Sequence, residues 1–264
     1  MKKIGIIGQG FVGTAIREGL KSTFKVETYD KFKEEVSTCT SLEEVAEKCK
    51  IVFFCLPTPM RANGSCDIRL LKSEIVRFNK ICKDRNFKGR IGIIKSTVIP
   101  GTIRKELAPL VTNTKLIYNP YLIAMGSVGW DMLNPEMIIV GTMKGVQSTA
   151  TRAQNLLNFY TMICNNKPRV EFGTWEEAEA IKIFYNTFIS NKIALVNMIQ
   201  DVAERLGNMN VDVVTKALAK STQRIMSPAY MKAGMGDGGA CHPRDNIALR
   251  WLAKKLNLNY DLFE

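Results

Sequence analysis

The chain reads as an α/β protein, a doubly wound parallel sheet followed by an all-helical domain. Three observations carry that reading. A short apolar run breaks into a glycine turn at once, Lys3-Ile4-Gly5-Ile6-Ile7-Gly8-Gln9-Gly10-Phe11-Val12-Gly13. Further apolar runs of strand length then alternate with helical segments to about residue 172, the pattern of parallel strands covered on both faces. Finally, residues 174–206 contain neither proline nor glycine, which predicts one long helix. The expected domains are residues 1–172 and 173–264.

Taken in order, Ile4, Ile6 and Ile7 make the first strand, and Gly8, Gly10 and Gly13 give G-x-G-x-x-G spacing. The first glycine allows a tight turn, the second lets backbone approach a pyrophosphate, and the third lets the next helix pack close. That helix, about 12–21, aims its amides at the phosphates, which makes the sheet Rossmann-like. Residues 24–30 alternate like a strand and end in Asp30, 22 positions beyond Gly8. Such a unit places there the carboxylate that takes the adenosine ribose hydroxyls; the plainer reading is a solvated turn aspartate. An acid favours NAD over NADP, whereas Lys31 and Lys33 are able to accept a 2′-phosphate.

Ser41 and Glu44 form a capping box for a short helix. A third strand, 51–56, is stopped by Pro57 and Pro59, so Thr58 falls in a loop at a strand's carboxyl end, where open sheets hold ligands. Asp67 caps a helix over about 68–80. The fourth strand, 90–94, ends in Lys95-Ser96-Thr97, and Pro100 opens a helix. Strands over 115–118, 136–141 and 169–172 follow. After the long helix come a second over 211–219, a glycine-rich loop over 234–241 and a last helix over about 244–256.

The net charge of +12 admits a nucleic-acid binder, but the Lys and Arg residues are spread along the chain without a basic tail. A basic protein with phosphate-bearing ligands fits better. Seven irregularly spaced cysteines, no Cys-x-x-Cys and one histidine argue against a zinc site or a disulfide framework. They point to a reducing compartment, the cytoplasm. No apolar stretch reaches the ~18 residues of a membrane span, and the glycine turn interrupts anything like a signal peptide.

Cys241 ends the glycine-rich loop where a helix begins. Amides there favour the thiolate, which makes it the candidate nucleophile; an inert small hydrophobe is the alternative. Lys182 and Asn186, four apart on the long helix, project from one face. They either stabilise developing oxyanion charge in a cleft or, for the lysine, simply reach water. Asp245, four residues after Cys241, either shares its site or only complements the helix dipole.

Together these landmarks resemble the UDP-glucose/GDP-mannose dehydrogenase family across nearly the whole chain. They run, in family order, from the Gly8–Gly13 turn through Leu56-Pro57-Thr58-Pro59, Lys95-Ser96-Thr97 with Pro100-Gly101-Thr102, and Asn119-Pro120. Ala178-Glu179 with Lys182 and Asn186, Lys232-Ala233-Gly234 and Gly238-Gly239-Ala240-Cys241-His242-Pro243-Arg244-Asp245 complete the set. The resemblance implies oxidation of a nucleotide sugar, a UDP-sugar by preference, at its primary alcohol with two NAD reduced. By position Cys241 is then the nucleophile, Lys182 and Asn186 hold oxyanion and substrate, and Asp245 and Thr97 manage protons and water. Gly8, Gly10, Phe11, Val12, Gly13, Asp30, Pro57, Thr58, Thr97 and Arg244 hold NAD. Lys232, Gly238 and Arg224 reach the nucleotide sugar. The long helix resembles the family's dimerisation helix, so a homodimer is expected. No metal, membrane or nucleic acid is implied.

The chain departs from the pattern at two positions where the family usually carries glutamates tied to proton transfer and thioester hydrolysis. Tyr121 and Met125 stand there, so the second oxidation is expected to be impaired. Arg244 replaces the usual lysine and His242 the usual aromatic. The family's third, nucleotide-clamping domain would follow where this chain stops. Two other readings stay open: a two-domain β-hydroxyacid dehydrogenase, which also pairs a Lys with an Asn four residues on, and a non-catalytic NAD-binding subunit.

Overall fold

The structure is a computed structural model that describes residues 3–123, 126–144, 150–231, 233–234 and 241–258. Its elements are β1 (Lys3–Ile7), α1 (Phe11–Leu20), β2 (Lys25–Tyr29), α2 (Leu42–Lys48), β3 (Ile51–Phe54), α3 (Arg69–Asp84), β4 (Arg90–Ile94), β5 (Thr114–Tyr118), α4 (Val128–Leu133), β6 (Met137–Thr142), α5 (Ala150–Ile163), β7 (Arg169–Thr174), α6 (Trp175–Leu206), α7 (Val211–Ala219) and α8 (Cys241–Lys255). They fall into two compact units, Met1–Tyr185 and Asn186–Glu264.

In the first unit seven strands form one sheet in the order β2-β1-β3-β4-β5-β6-β7. Side chains alternate across it. Ile4, Ile6, Phe53, Ile91, Ile93 and Ile117 pack on one face with α1, α4 and α5. Ile7, Val52, Phe54, Ile94, Leu116 and Tyr118 pack on the other with α2, α3 and the start of α6. Gly5 is small because α2 needs the room: a Cβ there would lie 2.7 Å from Val45. Strand order reverses around β1, between β2 and β3. In an open sheet the crevice at the carboxyl ends beside such a reversal is where a ligand binds.

The expected doubly wound parallel sheet is present, with one pair of strands running the other way. β5 and β6 pair antiparallel, at Tyr118 and Gly141. A parallel neighbour requires a crossover, usually a full helix, and the β5–β6 connection holds only the six-residue α4. The fourteen-residue α5 does supply that crossover, and β7 accordingly returns parallel to β6. The helix expected after Pro100 is likewise only a π turn, Ile103–Leu107, followed by a 3-10 turn, Ala108–Leu110. The last helix starts at Cys241, three residues ahead of the position the sequence implied.

The second unit is helical. Beyond residue 186, α6 continues to Leu206 and ends where Gly207 and Asn208 take positive φ. Asn210 caps α7 by accepting from the Asp212 amide at 2.9 Å. Arg205 donates to the Leu256 carbonyl at 3.0 Å and ties the end of α8 to α6. No helix among the described residues is long and apolar enough to cross a membrane.

Candidate dinucleotide site and active-site residues

The glycine turn joins β1 to α1, and its three glycines have three different reasons. Gly8 takes φ +90°, and a Cβ there would lie 2.5 Å from the Cys55 carbonyl oxygen. At Gly13 a Cβ would lie 1.9 Å from the Gly8 carbonyl oxygen, so α1 sits directly on the turn. A Cβ at Gly10 would meet nothing within 4 Å. The chain itself does not require glycine there; the open space in front of the turn is what a pyrophosphate needs. Gly10 is also the N-cap of α1 and no side chain caps the helix. The first amides, at Phe11, Val12 and Gly13, are left for an anion.

Asp30 stands at the end of β2 with its carboxylate fixed beside the turn. One oxygen accepts from the Gln9 amide at 2.6 Å and the other from the Phe32 amide at 2.9 Å. Each retains a lone pair for a ribose hydroxyl. Lys33 bridges the same two loops by donating to the Gln9 carbonyl at 3.3 Å. Between them and α3 lies a cavity of about 200 Å³, walled by Ile7, Gly8, Tyr29, Asp30, Leu56, Pro57, Leu70 and Glu74 among others.

The next two carboxyl-end loops are bolted together. Thr58 donates its hydroxyl to the Thr97 carbonyl at 2.6 Å, and Ser96 donates to the Leu56 carbonyl at 2.6 Å while accepting from its amide at 3.1 Å. Four neighbouring parallel strands thus deliver Gly8, Asp30, Thr58 and Thr97 along one edge of the sheet.

Glu179 joins α6 to this edge. Fully buried, it accepts from the Gly101 amide at 2.5 Å and the Ile103 amide at 2.8 Å, just beyond Thr97. Burial raises its pKa. One turn along, Lys182 is 8% exposed, and burial lowers its pKa. Asn186, a further turn along, is exposed.

Lys95, which leads into the Ser96-Thr97 loop, is buried. It donates to Asn119 Oδ1 at 2.7 Å and to Tyr160 Oη at 2.9 Å, with the Tyr121 ring centre 3.8 Å away. Desolvation pulls its pKa well below the ordinary lysine value. Tyr121 is itself buried and in contact with Met132. The buried Gln9, Glu74, Lys95 and Ser96 did not stand out as site residues in the sequence. The only cue available was that each adjoins a motif or interrupts an apolar helix face.

In the helical unit, Asp245 accepts from Arg244 at 2.9 Å, and both side chains are exposed. Arg224 is exposed, and His242 meets Tyr230 edge-on with ring centres 6.2 Å apart. Cys241 opens α8; its side chain, and residues Met125, Lys232 and Gly238, lie outside what is described. Among the other cysteines burial pushes Cys39 and Cys164 up to about 11 and Cys49 and Cys55 up to about 12. Thiols held that high are poor nucleophiles. No group of three metal-ligating side chains occurs among the described residues.

The sequence model of the NAD binding domain of the UDP-glucose/GDP-mannose dehydrogenase family matches residues 19–161, and that of the family's central domain matches residues 176–264. The chain belongs to this family. Its sheet unit contains the family's NAD-binding domain, and the turn, Asp30 and the open space at Gly10 fit that cofactor. A UDP-glucose 6-dehydrogenase of Bacillus subtilis is 27% identical over 233 residues, which cover 85% of this chain and 49% of the relative. Two solved structures share the fold. A GDP-mannose dehydrogenase from Pseudomonas aeruginosa superposes with TM-score 0.87 at 20% identity, over 98% of this chain and 66% of that one. A UDP-glucose dehydrogenase from Pyrobaculum islandicum does so with TM-score 0.75 at 24% identity, over 98% and 65%. The chain spans half or less of the length of the curated relatives it matches.

Proposed function

We propose that the protein is an NAD-dependent oxidoreductase that oxidises the primary alcohol of a nucleotide sugar, a UDP-sugar by preference. The observation that carries this reading is the convergence of Gly8, Asp30, Thr58 and Thr97 along one edge of the sheet, with Glu179 fastening α6 and its buried Lys182 to the loop beyond Thr97.

In this reading NAD, held along that edge by the glycine turn and Asp30, would supply the acceptor for the hydride of the sugar carbon. The Lys182 ammonium lowers the energy of negative charge on the sugar oxygen, and Asn186 adds a donor from the next turn. Cys241 adds its thiol to the aldehyde, giving a thiohemiacetal whose oxidation to a thioester would take a second NAD as hydride acceptor. Water, managed by Asp245 and Thr97, then releases the acid and frees the thiol. Phe11, Val12, Pro57 and Arg244 complete the cofactor contacts, and Lys232, Gly238 and Arg224 those of the substrate. With Tyr121 where the family usually has a carboxylate, the second oxidation and the hydrolysis that follows it are the slow half of the reaction.

Release of NADH from UDP-glucose, UDP-N-acetylhexosamines and GDP-mannose tests the proposal. A productive substrate gives a first NADH readily and a second slowly. Binding of NAD without NADH from any of them replaces it with the non-catalytic subunit.

A homodimer through α6 belongs to the same proposal. Phe188, Ile189, Ile193 and Val196 are 42–55% exposed on that helix, and the same stripe on a second copy is its natural cover. A cytoplasmic location is part of the same reading, supported by the free thiols among the described residues.

A further inference from the structure

The cavity beside Asp30 is lined by a carboxylate with one oxygen that no protein group hydrogen-bonds. Glu74 lies on α3 and is only 5% exposed, yet its Oε2 is buried without a hydrogen-bond partner. Arg77, one turn on, donates to Glu43 at 3.5 Å and acts on Glu74 through its charge rather than through a hydrogen bond. A buried acceptor left unpaired is unfavourable, and native structures tolerate few of them. This one lines the cavity of about 200 Å³ whose other walls include Leu56, Pro57 and Leu70, with Asp30 at its edge. The shape and chemistry are those of a slot for a flat apolar ring that carries one hydrogen-bond donor on its rim and a sugar at its end.

We propose that Glu74 selects adenine in the cofactor site by accepting a hydrogen bond from its exocyclic amino group. The inference rests on the NAD reading of the cavity. With Asp30 on the ribose hydroxyls, the base enters between Leu56 and Leu70, and its amino edge faces α3. A base with a carbonyl at that position presents an oxygen to the carboxylate, and the two acceptors repel. Glu74 thereby gives the site a base specificity that apolar walls alone do not supply.

The test is titration of the full chain with NAD and with nicotinamide hypoxanthine dinucleotide, in which that carbonyl replaces the amine. Binding is read by calorimetry, so no turnover is needed. The wild type is expected to bind NAD about tenfold or more tightly than the hypoxanthine analogue. In Glu74→Ala the ratio falls towards one. In Glu74→Gln, whose amide can turn either atom to the ligand, it narrows to within about threefold. Equal binding of both dinucleotides by the wild type overturns the assignment with no variant required, as does an unchanged ratio in folded Glu74→Ala. If the wild type binds neither dinucleotide, the cofactor reading itself fails, and the assignment with it.

Discussion

The Lys95 ammonium nitrogen lies 3.8 Å from the centre of the Tyr121 ring. The family pattern places a carboxylate at that second position, whereas here the buried lysine faces a ring. The ring's quadrupole is worth roughly 1–2 kcal/mol to a cation, and Asn119 and Tyr160 add hydrogen bonds from neutral groups. None of these replaces a full countercharge in a dry site, which is why desolvation leads the causes of the lowered Lys95 pKa.

That lowering predicts a pH dependence of stability. Between the reduced folded pKa and the ordinary value of 10.5, the unfolded chain binds the Lys95 proton more than the native state does. Stability therefore rises with pH across that window, by at most about 1.4 kcal/mol per pH unit. The penalty is absent above 10.5, where both states are neutral, and greatest below the folded pKa. Lys95→Met lacks this slope. Thermal melts of both proteins from pH 7 to 9.5 are expected to show the wild type gaining on the variant as pH rises, and parallel curves refute the argument. Tyr121→Glu supplies a countercharge and should flatten the wild-type slope.

Asp30 predicts cofactor choice. Asp30→Ala removes the acceptor proposed for the ribose hydroxyls and also frees the Gln9 and Phe32 amides. Loss of charge-assisted hydrogen bonds of this kind amounts to about 2–3 kcal/mol, or some 30- to 150-fold in NAD affinity. NADP is affected in the opposite sense, because the carboxylate that repels its 2′-phosphate is gone while Lys31 and Lys33 remain. Titration with both dinucleotides checks it; an NADP affinity that falls in step with NAD contradicts the role given to Asp30.

Much of this was legible in the sequence, for identifiable reasons. β1, β3 and β4 are buried on both faces and read as continuous apolar runs, and the motif residues at their ends follow directly. α6 was visible because thirty-two residues without a breaker admit little else. α4 and α5 had no comparable cue. The direction of β6 was hidden as well, since local residues do not encode whether a strand returns parallel; the length of the intervening helix does. Lys95 and Glu74 were missed because their significance lies in what surrounds them. A lysine after a strand and a glutamate on a helix look solvated until packing buries them.

The exposed stripe on α6 predicts self-association. Among the described residues of the helical unit, only Met198, Val202, Ala203 and Ala253 are buried apolar side chains, which is little for an isolated helical body. A charge at Ile193, 55% exposed on that stripe, should open a dimer without disturbing the sheet unit. Light scattering of Ile193→Glu is expected to halve the mass seen for the wild type, with NAD binding retained. A wild type that is already monomeric at micromolar concentration rules the second copy out.

The glycine turn yields a pair of opposite outcomes. Gly13→Ala sets a methyl 1.9 Å from the Gly8 carbonyl oxygen, a backbone atom that cannot rotate away. α1 has to lift from β1, and overpacking of this kind destabilises by about 1–3 kcal/mol. Gly10→Ala meets no protein atom within 4 Å, and its backbone, at φ −77° and ψ −163°, suits any residue. Its only intrinsic penalty is a poorer N-cap, about 1 kcal/mol or less. The added methyl stands instead in the open space proposed for the pyrophosphate. Gly10→Ala should therefore melt near the wild-type temperature yet bind NAD at least about tenfold more weakly, since phosphate contacts to amides are sensitive to an ångström of displacement. Gly13→Ala should lose stability as well as binding. Calorimetric melting beside NAD titration separates the two, and a Gly10→Ala protein with undiminished NAD affinity would falsify the placement of the pyrophosphate at this turn.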